Sequence, residues 1–180
     1  MSAEWSLITL HSALITELDM GISARVILTC IWGAIIVAAL AAPLLSVSFP
    51  MAAFFTYLPF SFVCHQMPER SFELLHHPLA VCHRCSGIYI GLLLGTPPAT
   101  FFFRISPRAR RTCIITAAAL LATDALLPYT GLWSGFRICR FLTGLAFGLT
   151  AAPLAAMGLD ETIKALSMRG RAVLQPDKGV

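Results

Sequence analysis

The chain has 180 residues, of which 57% are hydrophobic and only 12% are charged, and its net charge is +4 at pH 7. Because soluble domains carry about 25% charged residues, this composition excludes an ordinary water-soluble domain and predicts one compact integral membrane protein. The small positive charge, without a basic run interleaved with aromatic residues, also argues against a nucleic-acid partner. The first twenty residues contain acidic residues but no Lys or Arg, so no cleavable signal peptide is expected.

The chain begins with patterns typical of a surface helix and then of a membrane span. Apolar residues at helical spacing between residues 3 and 20 predict an amphipathic helix within residues 1–25. No charged residue occurs from Val26 to Cys64. A helix needs about 20 apolar residues to cross a bilayer, and Val26–Val47 satisfies this requirement once.

Residues 47–63 are expected to form a short re-entrant or interfacial segment. They are rich in aromatic residues, are interrupted by Pro59, and are too few for a second span. Two short membrane helices joined by a turn near residues 46–50 are the alternative, and they would move the N-terminus to the other side of the membrane.

A polar island at residues 64–85 precedes three further apolar segments. These predicted spans are Ser86–Phe103, Thr112–Leu127 and Phe136–Met157. Glycines four residues apart in the second and fourth spans would allow two helices to approach closely. The sequence therefore predicts an all-α membrane bundle of about four transmembrane helices within residues 26–158, followed by a polar cytoplasmic tail at residues 159–180.

The Lys and Arg residues orient this predicted bundle in the membrane. Nine of the 13 lie on the side of the two termini, and four lie on the side of the polar island. Because Lys and Arg in short loops favour the cytoplasm, we expect a multi-pass protein of the cell membrane with both termini cytoplasmic. The island should then face the periplasm or the exterior.

The predicted topology gathers the chemically versatile residues at this one membrane face. They are Cys64, His65, Gln66, Arg70, Cys82, Arg84, Cys85, Asp124, Arg137 and Arg140. Ionisable residues within spans are usually paired, so we expect an Asp124–Arg140 ion pair, which could also serve only to fix helix register. Arg137 and Arg140 are three residues apart and share a helix face. Together with an arginine of the island, they could hold an anionic head group or a quinone oxygen.

The island cysteines have the spacing of a metal site. Cys82 and Cys85 form a Cys-x-x-Cys motif, and Cys64, separated from Cys82 by seventeen residues, adds a third sulfur. One further ligand would complete a tetrahedral site for zinc or another transition metal. The candidates for that ligand are His65, His76, His77 and His83. His65 is disfavoured on steric grounds, because neighbours in sequence seldom reach one ion together.

Thiol–disulfide exchange is the second interpretation of these cysteines. A Cys-x-x-Cys motif at the outer end of a span is similar to that of the bacterial disulfide-generating quinone reductases. Cys64 would be the relay cysteine, Arg84 would lower the pKa of the neighbouring thiols, and a quinone would be the cofactor. Those enzymes normally carry a second cysteine pair, whereas the island has three cysteines.

Two less specific interpretations also stand. One is a structural disulfide with a spare thiol. The other is a non-catalytic assembly factor or subunit that uses its glycine-lined helix faces to bind a membrane-protein partner or a second copy of itself. An enzymatic role and a non-catalytic role are therefore both open at this point.

The same residues resemble a family of small prokaryotic membrane proteins, domain-of-unknown-function family 2085 (DUF2085). Its pattern is Cys-His-Gln, Pro-x-Arg-Ser-Phe and Cys-x-Arg-Cys-x-Gly-Ile-Tyr-x-Gly, followed by an Asp and by Arg-x-x-Thr-Gly. The chain matches this pattern at Cys64–Gln66, Pro68–Phe72, Cys82–Gly91, Asp124 and Arg140–Gly144. The resemblance covers about residues 55–150 and implies no activity. It implies that His65 and Gln66 belong to the signature and that His83 does not, which favours His65 as the fourth ligand.

Overall fold

The computed structural model describes residues 2–130 and 136–174, with the side chains of residues 22–128, 130 and 136–169. Its helices are α1 (Ser2–Ser48), α2 (Pro50–Ser61), α3 (His83–Gly95), α4 (Ala99–Phe103), α5 (Pro107–Leu126) and α6 (Arg137–Leu174). Its strands are β1 (Ser71–Leu74) and β2 (His77–Cys82), and short 3-10 turns cover Pro68–Arg70 and Leu127–Thr130. The expectation of an all-α chain is therefore wrong, because the polar island contains an antiparallel hairpin.

Two helices of the described chain are long and apolar enough to cross a membrane. They are the Ile22–Ser48 part of α1 and the Arg137–Arg169 part of α6. In the most apolar windows of these helices only 17% and 28% of the residues are buried, whereas the core helix of a soluble protein is mostly buried. Exposed apolar side chains such as Val37 and Val47 lie along α1. The predicted bundle of four transmembrane helices is therefore wrong, since the described residues support two.

The other two predicted spans are too short or too polar. The second is interrupted, because α3 has 13 residues and ends before Pro97 and Pro98, which cannot continue the helical hydrogen bonding. The third corresponds to α5, which has 20 residues but begins with three arginines and contains Asp124 near its other end. The uncharged stretch between these arginines and Asp124 is shorter than the roughly 20 residues that a membrane span needs.

The region before the island forms one long helix and a short one that folds back on it. Residues predicted as an N-terminal helix and as a first span are continuous in α1, although the side chains of the first 21 residues lie outside the described part. The chain turns at Phe49, and α2 then returns so that Phe60 packs on Ala39 and Ala42 of α1. The segment expected to be interfacial or re-entrant is thus a 12-residue helix, too short to cross a bilayer.

Helices α3 and α6 pack in parallel through their glycines. A Cβ atom at Gly91 would lie 2.5 Å from the main-chain oxygen of Leu145, and one at Gly148 would overlap the main-chain oxygen of Ile88. These contacts set the first turn of α3 beside the first turns of α6. Both glycine faces are therefore occupied by contacts within the chain.

Candidate metal centre

Three cysteine sulfurs meet where α2, β2 and α3 come together. The Sγ atoms of Cys64, Cys82 and Cys85 all lie within 4.8 Å of one another. Cys64 is buried, Cys82 and Cys85 are half-buried, and none of the three forms a disulfide. The arrangement brings thiols from three elements to one point, which is what a shared metal ion requires.

Local structure explains how each sulfur reaches this point. Cys64 is held just after α2, where its N–H donates to the main-chain oxygen of Phe60 at 2.8 Å. Cys82 ends β2 and is also the residue before the first turn of α3, and its N–H donates to the sulfur of Cys64 at 3.2 Å. Cys85 lies in the first turn of α3. The Cys-x-x-Cys spacing therefore places the sulfurs of Cys82 and Cys85 on one side of that turn.

Gln66 ties the end of α2 to the hairpin beside the sulfurs. Its Nε2 donates to the main-chain oxygens of Tyr57, at 2.9 Å, and of Ala80, at 3.0 Å. Gln66 has a φ of 48°, which is rare for a residue other than glycine. The Tyr57 hydroxyl donates to the main-chain oxygen of Pro78 across the same gap. The signature glutamine therefore positions the chain that carries Cys64.

Cys82 and Cys85 differ in acidity because of hydrogen bonds within the cluster. Interaction with the thiol of Cys64, then with that of Cys85, together with the backbone N–H groups of the first α3 turn, outweighs burial and lowers the pKa of Cys82 to about 2. The same contacts, Cys64 first, raise the pKa of Cys85. The first negative charge of the cluster therefore resides on Cys82, and the other two thiols stabilise it as donors.

No histidine among the described side chains joins the three sulfurs. His65 is exposed and lines the same cavity as the cysteines, but its ring nitrogens do not lie within 4.8 Å of all three Sγ atoms. His76 and His77 lie at the turn of the hairpin. His83 is fully buried with its ring edge against Phe72, at a centroid distance of 4.3 Å, and burial lowers its pKa. The structure thus brings together three of the four predicted metal ligands.

Asp124 pairs with an arginine of the signature other than the one expected. Its Oδ2 accepts a hydrogen bond from Nε of Arg84 at 2.9 Å, and its main-chain oxygen accepts one from Nη2 at 3.0 Å. The hydroxyl of Thr143 lies 3.4 Å from the same carboxylate oxygen. The predicted Asp124–Arg140 pair is therefore wrong. Arg84 lies nearer in space, because the close contact of α3 with α6 places it between α5 and Gly144.

A cavity of about 500 Å³ opens beside the sulfurs. Arginines from three elements line it, together with the cysteines, His65 and several apolar side chains. These arginines are Arg70, Arg84 and Arg140. Arg137 is exposed and does not line the cavity. Sequence reasoning did not single out Tyr57 or Thr143, although the Arg-x-x-Thr-Gly pattern contains the latter.

The fold and the site define a membrane-associated helical protein with a three-thiol cluster at the junction of its helices. The chain belongs to the DUF2085 family, described as predicted membrane proteins, whose sequence profile matches residues 64–154. All three sulfurs, Asp124 and Arg140 lie within the matched region.

Two relatives come from archaea, and both are described as uncharacterized proteins. The one from Methanocaldococcus jannaschii is 38% identical over 96 residues, which are 52% of this chain and 62% of that protein, less than two thirds of its length. The one from Methanothermobacter thermautotrophicus is 33% identical over 102 residues, which are 53% of this chain and 86% of that protein. No solved structure matches the chain.

Proposed function

We propose that this protein is a membrane metal-binding protein in which Cys64, Cys82 and Cys85 hold one zinc ion. The observation that carries the proposal is the mutual approach of the three sulfurs to within 4.8 Å. Sulfurs that share a tetrahedral zinc ion at 2.3 Å lie about 3.8 Å apart, so small side-chain rotations suffice to close the site. Thiolate ligands select zinc and other soft transition metals over magnesium or calcium.

The acidity of the thiols supports the same proposal. Cys82 is already a thiolate near neutral pH, because its pKa is lowered to about 2. Cys85 has a raised pKa and remains a thiol until a cation replaces its proton. Metal binding would therefore begin on the Cys82 thiolate and release protons from its neighbours.

The fourth coordination position faces the cavity in this proposal. Three protein ligands and one open position are typical of catalytic zinc sites, whereas structural sites are closed by a fourth protein ligand. His65 was predicted as that fourth ligand, and it lines the cavity without joining the sulfurs. We therefore assign it to the cavity wall, and a His65→Ala variant should retain its metal.

We place this centre at the outer face of the membrane. The two candidate spans are antiparallel, since Leu28 of α1 packs with Ala156 of α6 and Leu40 of α1 lines one cavity with Phe141 of α6. The start of the α1 span and the end of the α6 span then lie on one side, the side to which the sequence assigns nine of the 13 basic residues. The excess of Lys and Arg supports a cytoplasmic location for that side and a periplasmic or exterior location for the cysteines.

Cobalt substitution tests the ligand set. Tetrahedral cobalt(II) bound by thiolates shows a charge-transfer absorption that grows with the number of sulfurs. The charge-transfer absorption of the purified protein should have the intensity expected for three thiolate ligands. Each single Cys→Ser variant at positions 64, 82 and 85 should lower this intensity. Cys113→Ser is the matched control, because Cys113 is an exposed residue of α5 outside the cluster. A cobalt spectrum without thiolate absorption would contradict the proposal.

A quinone-linked thiol relay is the second candidate, favoured by the lowered pKa of Cys82 and by its contact with two other thiols. Oxidation of the Cys82 thiolate and the Cys85 thiol to a disulfide would release two electrons and one proton, and a quinone would take these up with a second proton from solvent to form quinol. This candidate predicts that a quinone oxidises Cys82 and Cys85 to a disulfide in metal-free protein and is itself reduced to quinol. The zinc proposal predicts three thiolates that resist oxidation while the metal is bound.

A further inference from the structure

The cavity beside the sulfurs carries an excess of positive charge. Arg70 enters it from the 3-10 turn, Arg84 from α3 and Arg140 from α6. Among the described residues Asp124 is the carboxylate that binds Arg84, and its charge also acts on Arg140. Three guanidinium groups therefore meet near one carboxylate.

Arg70 and Arg140 add to this excess of positive charge. The positive charges of Arg70 and Arg84 both act on Arg140, which is 8% exposed. Within the described chain the guanidinium of Arg70 forms no ion pair. A zinc ion with three thiolates carries a formal net charge of about −1, so even the occupied metal centre would leave the cavity positive. Holding like charges together is costly unless an anion joins them.

The geometry of the arginines specifies the class of anion. Guanidinium groups match the oxygens of carboxylates and phosphates through paired N–H donors. The three arginines arrive from three different elements and line the same cavity. Arg84 uses Nε and Nη2 for Asp124, and its Nη1 donors make no hydrogen bond within the described chain. A phosphate group has more oxygens than a carboxylate, so it can accept hydrogen bonds from more than one of these arginines at once.

The remaining walls of the cavity are apolar. Val63, Met67 and Leu126 line it, and each of them is also exposed at the protein surface. A cavity of about 500 Å³ is large enough for a small molecule and far larger than a single phosphate ion. The phosphate group of a ligand would lie among the arginines, and its uncharged part would contact these side chains.

We propose that this cavity binds a phosphate group, either as the free ion or as the head group of a lipid, with Arg70 and Arg140 as its main contacts. The phosphate would lie next to the open coordination position of the zinc ion, and in this one respect the proposal rests on the proposed function. The arginine contacts themselves come from the cavity walls and do not depend on the metal.

Equilibrium binding to the full chain in a maltoside detergent tests the proposal. The two probes are radiolabelled inorganic phosphate and dihexanoyl phosphatidic acid, a soluble lipid with the same phosphate chemistry. Arg70→Gln should weaken binding of the preferred probe about tenfold or more, as expected for the loss of a hydrogen bond to a charged group. Arg108→Gln is the matched control, because Arg108 is also exposed but lies at the start of α5, outside the cavity.

The two probes distinguish the sources of the phosphate. Tighter binding of the lipid would identify a head-group site, and equal binding would identify a site for the free ion. Absence of saturable binding of either probe would overturn the proposal, as would equal weakening by Arg70→Gln and Arg108→Gln. Zinc is measured in the same samples. Protein that holds zinc but not phosphate refutes this inference alone, and protein that holds phosphate but not zinc refutes the metal proposal alone.

Discussion

Arg84 and Asp124 join the start of α3 to the end of α5, with Nε of Arg84 2.9 Å from Oδ2 of Asp124. Arg84 lies between Cys82 and Cys85 in the chain, so this pair fixes the turn that carries two of the three sulfurs. Asp124 is only 8% exposed, and it also accepts a hydrogen bond from Arg84 through its main-chain oxygen. We infer that the pair is a positioning device for the cysteine cluster.

The first prediction concerns the stability that this pair provides. Asp124→Ala should lower the free energy of unfolding by about 3 kcal/mol, because it leaves a partly buried guanidinium without its partner. Asp160→Ala is the matched control. It removes the carboxylate that pairs with Lys164 one helical turn away, and such surface pairs contribute less than about 1 kcal/mol. Equal losses in equilibrium unfolding in detergent would contradict the positioning role.

The second prediction concerns the contact of α3 with α6. Gly91→Ala should lower the free energy of unfolding by about 1–3 kcal/mol, because the added methyl group meets the backbone of α6 and the helices must separate. Gly33→Ala tests the same substitution in α1, where an added Cβ meets nothing within 4 Å. It should be neutral or stabilise the helix by up to about 1 kcal/mol. Thermal unfolding of the two variants side by side measures the difference.

The third prediction concerns Gln66. Gln66→Glu keeps the shape of the side chain but replaces two donated hydrogen bonds with repulsion between a carboxylate and the oxygens of Tyr57 and Ala80. Because Gln66 positions the chain that carries Cys64, zinc affinity should fall about tenfold or more, as with other residues that support metal ligands. Competition with a coloured zinc chelator measures the affinity. A variant with unchanged zinc affinity would show that the glutamine serves only the fold.

The fourth prediction concerns the pH dependence of thiol alkylation in metal-free protein. The pKa of Cys82 is lowered to about 2, so this residue is a thiolate throughout the neutral range. Its alkylation rate should be nearly constant between about pH 5 and 8, whereas an ordinary thiol with a pKa of about 8.5 gains about tenfold per pH unit there. Glutathione in the same tube is the reference, and mass spectrometry identifies the modified cysteine. A rate for Cys82 that rises in parallel with glutathione would refute the assignment.

The sequence predicted the place of the site better than the architecture around it. The Cys-x-x-Cys spacing and the position of Cys64 located the sulfur cluster, because ligand spacing is a local property of the chain. The ion pair was assigned to Arg140 instead of Arg84, since partner choice depends on how α3 lies between α5 and α6. That packing follows from the contacts of the glycines in α3 and α6. The sequence does not specify which helix each glycine face contacts.

The sequence contains no pattern that predicts the hairpin in the polar island. Its turn places Leu75 and His76 at φ values of 54° and 63°, a conformation that normally selects Asn and Gly. Neither residue indicates a turn of this kind. The number of spans was overestimated because α3 ends before Pro97 and Pro98 instead of continuing through a kink, and because α5 begins within the run of arginines. Both features oppose a span that the average composition of the segment would allow.

The zinc and free-thiol content of the purified protein tests the central claim most directly. Elemental analysis of the detergent-purified chain should find about one zinc ion per chain, with the three cluster cysteines protected from alkylation until a chelator removes the metal. Cys82→Ser should lose most of this zinc, and Cys113→Ser should keep it. Metal-free protein in which a quinone oxidises Cys82 and Cys85 to a disulfide would contradict the zinc proposal and favour the thiol relay in its place.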